Sequence, residues 1–128
     1  MNSAATPASP QTGRRIFVVE DEFLIRMLLE DMLTDLGYEL VGVAGRVDEA
    51  AEMAKTKDFD LAILDVNLDG HDVYPVAEVI GKRGLPFMFV TGYGGRGLPD
   101  KYRERPTLQK PFQLDELKRM LTQLLPAA

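Results

Sequence analysis

The sequence contains no cysteine and only one histidine. Without cysteine the chain can form neither a disulfide framework nor a thiolate metal site, which agrees with a reducing compartment such as the cytoplasm. A single histidine is too few ligands for a zinc site built on nitrogen and sulfur. We therefore expect a cytoplasmic protein, and any metal site to be built from oxygen ligands.

Positive charge and long apolar runs are also scarce. The net charge of -5 and the sequence pI near 4.9 argue against the clustered basic surface that a nucleic-acid binder needs. No apolar run approaches the roughly 18 residues of a membrane-spanning helix, and the first residues lack the apolar centre of a secretory signal. We expect no direct nucleic-acid binding and no membrane insertion.

Length and composition indicate one globular domain. The chain has 128 residues, of which 45% are hydrophobic and 27% charged, as is typical of a domain with a single core. Residues 1–13 are rich in small and polar side chains and include two prolines, so we expect a disordered N-terminal tail. The folded domain is expected at residues 14–126, with no output domain after it.

Five short apolar runs, rich in branched and aromatic residues, are typical of buried strands. Apolar stripes at helical spacing follow four of them, so the pattern alternates strand and helix. This alternation predicts a doubly wound α/β domain, because right-handed crossovers place helices on both faces of a parallel sheet. The exception is residues 94–105, where glycines, a proline and little apolar periodicity predict a fourth helix that is short or mobile. The predicted strands are residues 16–19, 40–44, 61–64, 86–90 and 107–109.

Polar side chains stand where four of these strands end. Taken alone, each side chain has an ordinary explanation, as an acidic residue at a helix start, a polar residue in a loop or a solvated charge. Ligands of open α/β sheets, however, bind beyond the carboxyl ends of the strands. We therefore expect one pocket that combines carboxylates, a hydroxyl and an ammonium group. Its members are Glu20, Asp21 and Glu22 after the first strand, Asp65 after the third, Thr91 after the fourth and Lys110 after the fifth.

The chemistry of such a pocket points to phosphoryl transfer. Clustered carboxylates repel one another unless a cation neutralises them, and oxygen ligands favour Mg²⁺. Phosphoryl transfer depends mainly on positioning and charge neutralisation, and an aspartate can act as the nucleophile that forms an acyl phosphate. Asp65 is central enough to be that nucleophile, while Lys110 and Thr91 are suited to contact the phosphoryl oxygens.

The segments IFVVEDE, LAILDVNLDG and LQKPF, with a threonine at a strand end between the last two, resemble the receiver domains of response regulators. The resemblance covers about residues 14 to 125 and implies a flavodoxin-like strand order, 2-1-3-4-5. It implies that Asp65 is the phosphoacceptor and that Thr91 and Lys110 contact the phosphoryl group. It also implies a Mg²⁺ ion held by Glu20, Asp21, Asp65 and the backbone carbonyl of Asn67.

The resemblance extends to residues around the site. The bond before Pro111 is often cis in these domains, which helps to direct the preceding lysine. Asn67 and Tyr93 occupy positions that tune the lifetime of the phosphoryl group. Thr107 stands where many receivers carry an aromatic switch residue. The run PFMFVTGYG resembles the motif of the FAT GUY receivers of alphaproteobacteria, which suggests the hypothesis that Tyr93 replaces the missing aromatic side chain.

The implied function is signalling through protein contacts. The phosphoryl donor is expected to be a sensor histidine kinase or a histidine-containing phosphotransfer protein. The output is expected at a surface formed by the fourth helix, the fifth strand and the fifth helix, which contacts a downstream protein. A phosphate sink or a phosphorelay intermediate is the alternative. Since no diffusible substrate is turned over, we expect no enzyme in the usual sense.

Other functions are less well supported. Gly92, Gly94 and Gly97 satisfy the G-x-G-x-x-G pattern of a dinucleotide-binding oxidoreductase, but that fingerprint opens a helix and usually lies in the first strand-helix unit. His71 near acidic residues is more often an exposed loop residue than a metal ligand or phosphate relay. A phosphatase of the haloacid dehalogenase type needs an acid where Asn67 stands. A receiver used only for unphosphorylated contacts is expected to lack part of the pocket.

Overall fold

The computed structural model describes residues 13–92 and 98–125. Strands and helices alternate as the apolar pattern predicts, and each strand bound lies within one residue of its expected position. The sheet strands are β1 (Arg15–Val19), β2 (Glu39–Ala44), β3 (Leu61–Asp65), β4 (Phe87–Thr91) and β5 (Thr107–Gln109). The α-helices of the described residues are α1 (Phe23–Asp35), α2 (Val47–Thr56), α3 (Tyr74–Lys82) and α4 (Leu114–Leu124).

The five strands form one parallel sheet in the order β2-β1-β3-β4-β5, so the predicted 2-1-3-4-5 order is confirmed. The chain moves outward from β1 to β2 and then returns to place β3 on the other side of β1. The strand order therefore reverses between β1 and β3, and a crevice opens there at the carboxyl ends of the strands. The acids after β1 and at the end of β3 lie at this crevice.

Helices cover both faces of the sheet and create two apolar cores. On one face, Phe17 and Phe89 pack with residues of α2 and α3. On the other face, Ile16 and Val90 pack with residues of α1 and α4. Every residue of β3 and β4 is buried, because a central parallel strand is covered on both sides. This explains why these strands appear in the sequence as continuous apolar runs.

Helix α1 buries a narrower stripe than its sequence suggests. Leu29 and Leu33, one turn apart, are almost fully buried, whereas Leu28, which also has helical spacing to the stripe, is 39% exposed. Only one side of α1 meets the sheet, so side chains rotated away from that side stay in solvent. The exposed apolar side chains Phe23, Leu24, Met27 and Leu28 are called the α1 apolar patch below.

The fourth strand-helix unit contains only a short helix in its described part. A three-residue 3₁₀-helix, Asp100–Tyr102, follows β4 where a longer helix is usual, as the glycine-rich sequence predicts. Tyr102 is buried, and its ring stacks on Tyr74 of α3 at 5.6 Å and meets Phe89 of β4 edge-on at 5.4 Å. These contacts hold the turn against the sheet. Helix α4 is therefore the fifth helix of the sequence prediction.

Some predictions fall on residues outside the described ranges. These are the N-terminal tail, except residue 13, and residues 93–97, which include Tyr93 and two of the glycines of the dinucleotide pattern. Among the helices of the described ranges, none has the length and apolar character that a bilayer crossing requires.

Candidate functional site

Three carboxylates from two neighbouring strands meet at the crevice. Val19 pairs with Leu64 in the β1–β3 ladder, so the residues that follow them lie side by side. Glu20 is 1% exposed and Asp65 is 4% exposed. Each of Glu20, Asp21 and Asp65 offers an oxygen atom within 4.8 Å of the others. The tertiary structure thus brings together the acids that the strand ends predict.

Lys110 points into this acidic group from β5. Its Nζ lies 3.2 Å from Oε1 of Glu22, 3.4 Å from Oδ2 of Asp65 and 3.4 Å from Oε1 of Glu20. Its backbone N–H donates to the carbonyl of Thr91 at 2.8 Å, which ties the lysine to the end of β4. The Lys110–Pro111 peptide bond is cis. The three distances from Nζ show that one ammonium group is shared by three carboxylates.

Burial and crowding shift the protonation of the pocket. Burial raises the pKa of Glu20 to about 7; the Glu22 N–H lowers this pKa, and the neighbouring charge of Asp65 raises it. Burial also raises the pKa of Asp65, although its hydrogen bonds and Lys110 act in the opposite direction. For Lys110, burial lowers the pKa, but the charges of Asp65 and Glu20 outweigh it and the net direction is upward. The pocket carries more negative charge than one lysine balances.

One buried oxygen bears on whether the site fits a cation. Oε1 of Glu20 is inaccessible to solvent, and among the described residues it has an ion-pair contact with Lys110 at 3.4 Å but accepts no hydrogen bond. A buried carboxylate oxygen without a compensating donor is costly. A cation bound between Glu20, Asp21 and Asp65 removes that cost, and an all-oxygen ligand set suits Mg²⁺. The residues present therefore fit a magnesium ion.

A small hairpin beside the site positions Asn67. Residues Asn67–Leu68 pair antiparallel with His71–Asp72. Asp69 and Gly70 between them have φ of 53° and 86°, as a two-residue hairpin turn of type I′ requires. Asn67 donates its backbone N–H to Oδ1 of Asp65 at 3.3 Å, and its side-chain oxygen accepts from the Gly70 N–H at 2.7 Å. This hairpin was not among the predicted elements, although its Asp-Gly pair is a strong signal for one.

The site opens into a cavity of about 450 Å³. Thr91, which is 4% exposed at the end of β4, contributes to its wall. A second hollow of about 760 Å³ lies on the other side of Asp21, against the start of α2, and His71 lines that hollow. His71 is exposed and lies outside the carboxylate group. The cavity at the site is lined in part by Asp21, Glu22, Asp65, Asn67, Thr91 and Lys110.

Two residues make contacts that were not predicted from the sequence alone. Glu22 was expected in the acidic group without a separate role, yet its carboxylate approaches Lys110 more closely than those of Glu20 and Asp65 do. Thr107 lies half-buried on β5, and its hydroxyl donates to the carbonyl of Arg105 at 3.0 Å. A switch role for Thr107 or Tyr93 stays a prediction.

A family model, solved structures and curated proteins were compared with this chain, and their results agree. The family model described as "Response regulator receiver domain" matches residues 16–122. The solution structure of SdrG from Sphingomonas melonis Fr1 is 42% identical in sequence, with a TM-score of 0.79, and the match covers 88% of this chain and 97% of SdrG. The transcriptional regulatory protein PdtaR of Mycobacterium tuberculosis is 37% identical over 121 residues. That match covers 91% of this chain but only 59% of PdtaR.

A third similar protein carries a metal in its crystal structure. The receiver domain of the sensor histidine kinase PA1611 from Pseudomonas aeruginosa PAO1 is 26% identical, with a TM-score of 0.72. The match covers 88% of this chain and 98% of that domain. Its structure has a magnesium ion coordinated in the active-site cleft.

Proposed function

Because this chain belongs to the response regulator receiver domain family, whose members are signalling modules of two-component systems, we propose that it accepts a phosphoryl group on Asp65 with Mg²⁺. The observation that carries the proposal is the meeting of Glu20, Asp21 and Asp65 around a buried, unsatisfied carboxylate oxygen, with Lys110 beside them. Residues 14–126 form the receiver domain in this proposal.

The proposed reaction converts the Asp65 carboxylate into an acyl phosphate. A carboxylate oxygen attacks the phosphorus atom, the bond from phosphorus to the donor breaks, and the donor leaves with that electron pair. The Asn67 N–H and the Lys110 ammonium contact different oxygens of Asp65, so the carboxylate is held in one orientation before the reaction. A bound Mg²⁺ ion supplies neutralisation of negative charge on the phosphoryl oxygens.

The remaining site residues receive roles in the same proposal. Lys110 and Thr91 contact the transferred phosphoryl group, and the lysine compensates part of its charge. Asn67 and Tyr93 tune how long the group persists, and Thr107 belongs to the surface that changes afterwards. The metal ligands are Glu20, Asp21, Asp65 and the backbone carbonyl of Asn67.

A small phosphoryl donor tests the proposal directly. The chain is incubated with acetyl phosphate and Mg²⁺, and its intact mass is followed with time. We expect a gain of one phosphoryl group that is lost on treatment with hydroxylamine, which cleaves acyl phosphates, and that does not form in the presence of EDTA. The proposal is overturned if the mass does not increase with any of three donors: acetyl phosphate, phosphoramidate and phosphorylated histidine kinases.

The α1 apolar patch supports a protein as the natural donor. Phe23 and Leu24 directly follow Glu22 at the mouth of the pocket and are 66% and 76% exposed. Met27 and Leu28 continue the patch one turn further along the helix. Contiguous exposed apolar side chains of this kind mark protein interfaces. A phosphohistidine protein bound there, either a sensor kinase or a phosphotransfer protein, presents its phosphoryl group close to Asp65.

The variant Leu24→Ser tests this donor surface. Burial of a leucine contributes about 1.5–3 kcal/mol, so we expect phosphoryl transfer from a histidine kinase to become about tenfold less efficient or worse. The rate of phosphorylation by acetyl phosphate is expected to stay at the native value, because this small donor does not bind the α1 apolar patch. The control Asp35→Ser changes an exposed residue at the other end of α1 and is expected to affect neither rate.

Two results speak against this donor surface. Equal losses with both donors indicate damage to the fold, and native transfer from the kinase indicates that the donor binds elsewhere. Both comparisons use a kinase that phosphorylates the native chain.

The output surface is proposed around β5 and its neighbours. The Lys110 N–H bond to the Thr91 carbonyl links the site to β5, and a hollow of about 270 Å³ lies between β5 and α4. A downstream protein bound across the 3₁₀ turn, β5 and α4 can sense a change at Asp65. The alternative is a phosphate sink or relay intermediate, which needs no such partner. The proposal places the chain in the cytoplasm.

A further inference from the structure

The ammonium group of Lys110 contacts two deeply buried carboxylates and one exposed carboxylate. Asp65 and Glu20 have side chains that are 5% and 1% exposed, and each lies 3.4 Å from Nζ. The Glu22 side chain is 62% exposed, yet its Oε1 lies nearest, at 3.2 Å. The lysine is therefore drawn toward the mouth of the cavity as well as toward Asp65.

The backbone of Glu22 is held in place on both sides. Its N–H donates to Oε2 of Glu20 at 3.0 Å. Its carbonyl accepts the N–H of Arg26 at 3.0 Å, as the residue before a helix does. The side chain thus starts from a fixed point between the acidic group and α1. Its contact with Lys110 joins residues 88 positions apart in the sequence.

A phosphoryl group on Asp65 changes what the lysine must neutralise. The group adds negative charge and acceptor oxygens inside the cavity. The ammonium group forms a stronger charge-assisted hydrogen bond with these oxygens than with a carboxylate at the exposed mouth. At the same time, the charge of Glu22 faces an incoming anion and repels it. Both effects oppose phosphorylation as long as Glu22 keeps its contact with Lys110.

We infer that Glu22 is a positioning residue that competes with Asp65 and Glu20 for the Lys110 ammonium group in the unphosphorylated protein and releases it when the phosphoryl group arrives. The inference rests on the proposed function and concerns the regulation of the same site. Glu22 acts through Lys110 and contacts no reacting atom itself. Its consequence is a slower gain of the phosphoryl group than the pocket would otherwise allow.

The main test is the variant Glu22→Gln. The rate of phosphorylation by acetyl phosphate at saturating Mg²⁺ is expected to rise by about two- to fivefold, the factor that corresponds to an exposed ion pair. Glu22→Asp keeps the charge but shortens the side chain by one methylene group, so its rate is expected to lie between those of the native and Glu22→Gln proteins. The control Glu30→Gln removes the same charge from the exposed face of α1 and is expected to react at the native rate.

A second measurement reads the contact itself. The Lys110 side-chain pKa, followed by the ¹³Cε chemical shift in the unphosphorylated protein, is expected to fall in Glu22→Gln and to stay unchanged in Glu30→Gln. A simple loss of fold stability in Glu22→Gln leaves no reason for a faster reaction, so the two readouts together separate positioning from damage.

The possible failures are distinguishable. If the native chain gains no phosphoryl group, the proposed function and this inference both fall. If the native chain is phosphorylated but Glu22→Gln reacts at the native rate, or if its Lys110 pKa is unchanged, this inference alone is overturned. An equal acceleration in Glu30→Gln also overturns it, because the effect then comes from net charge.

Discussion

Replacement of Asp65 by Asn is expected to abolish phosphorylation by acetyl phosphate and by histidine kinases alike. The amide has almost the same shape as the carboxylate, so the packing at the end of β3 is preserved, but it cannot supply the attacking anion. Intact mass spectrometry is expected to detect no phosphoryl group in Asp65→Asn under conditions that modify the native chain. The loss is complete because no other described carboxylate is held by both the Asn67 N–H and Lys110.

The control for this variant is Asp72→Asn, which makes the same chemical change on the exposed hairpin beside the site. We expect it to be phosphorylated as the native chain is. Unfolding by urea should show that Asp65→Asn is at least as stable as the native protein, since it removes one charge from a self-repelling group. Phosphorylation of Asp65→Asn at the native rate would show that another residue is the acceptor.

Stability without metal is expected to fall as the pH rises from about 4.5 to about 7. Glu20 has an ordinary pKa of 4.5, and burial raises the pKa in the folded chain to about 7. The folded state therefore binds more protons than the unfolded state in this window, and deprotonation on going to higher pH removes stability. The pKa of Asp65 is raised in the same direction. A shift of this size corresponds to roughly 3 kcal/mol of unfolding free energy.

Magnesium is expected to reverse this loss, because it binds the deprotonated carboxylates of the folded state only. Urea unfolding at about pH 5 and about pH 8, with EDTA or with Mg²⁺, measures both effects. We expect a clear gain from Mg²⁺ at the higher pH and little gain at the lower pH. Glu20→Gln, which cannot ionise, is expected to flatten the pH dependence and to weaken the response to Mg²⁺. A metal-free stability that rises with pH through this window would contradict the assignment.

The strands and the acidic site were predictable for a shared reason. Asp65 and Thr91 directly continue apolar runs whose length and composition are typical of buried strands, so their place at a strand end follows from the local pattern. In a parallel sheet, all the carboxyl ends meet at one edge, so Lys110 belongs with them although it lies far away in the sequence. The structure brings these residues together as expected.

Other features depended on packing that a local pattern does not encode. Leu28 fits helical spacing to Ile25 and Met32, just as Leu33 fits it to Leu29. Only the contact of α1 with the sheet decides that Leu33 is buried and Leu28 exposed. Tyr102 gave no periodic signal, because its burial depends on the rings of Tyr74 and Phe89, which come from two other elements.

The sequence by itself determined the alternation of strands and helices, and with it the edge at which Glu20, Asp21, Asp65, Thr91 and Lys110 gather. That information is local, because apolar spacing along the chain is enough to define each element. Only the tertiary structure decided how the charges are shared: Lys110 lies among the carboxylates of Glu20, Glu22 and Asp65, and Oε1 of Glu20 is buried without a hydrogen bond. Distances between side chains from different strands depend on the packing of the whole sheet, and no spacing along one segment specifies them.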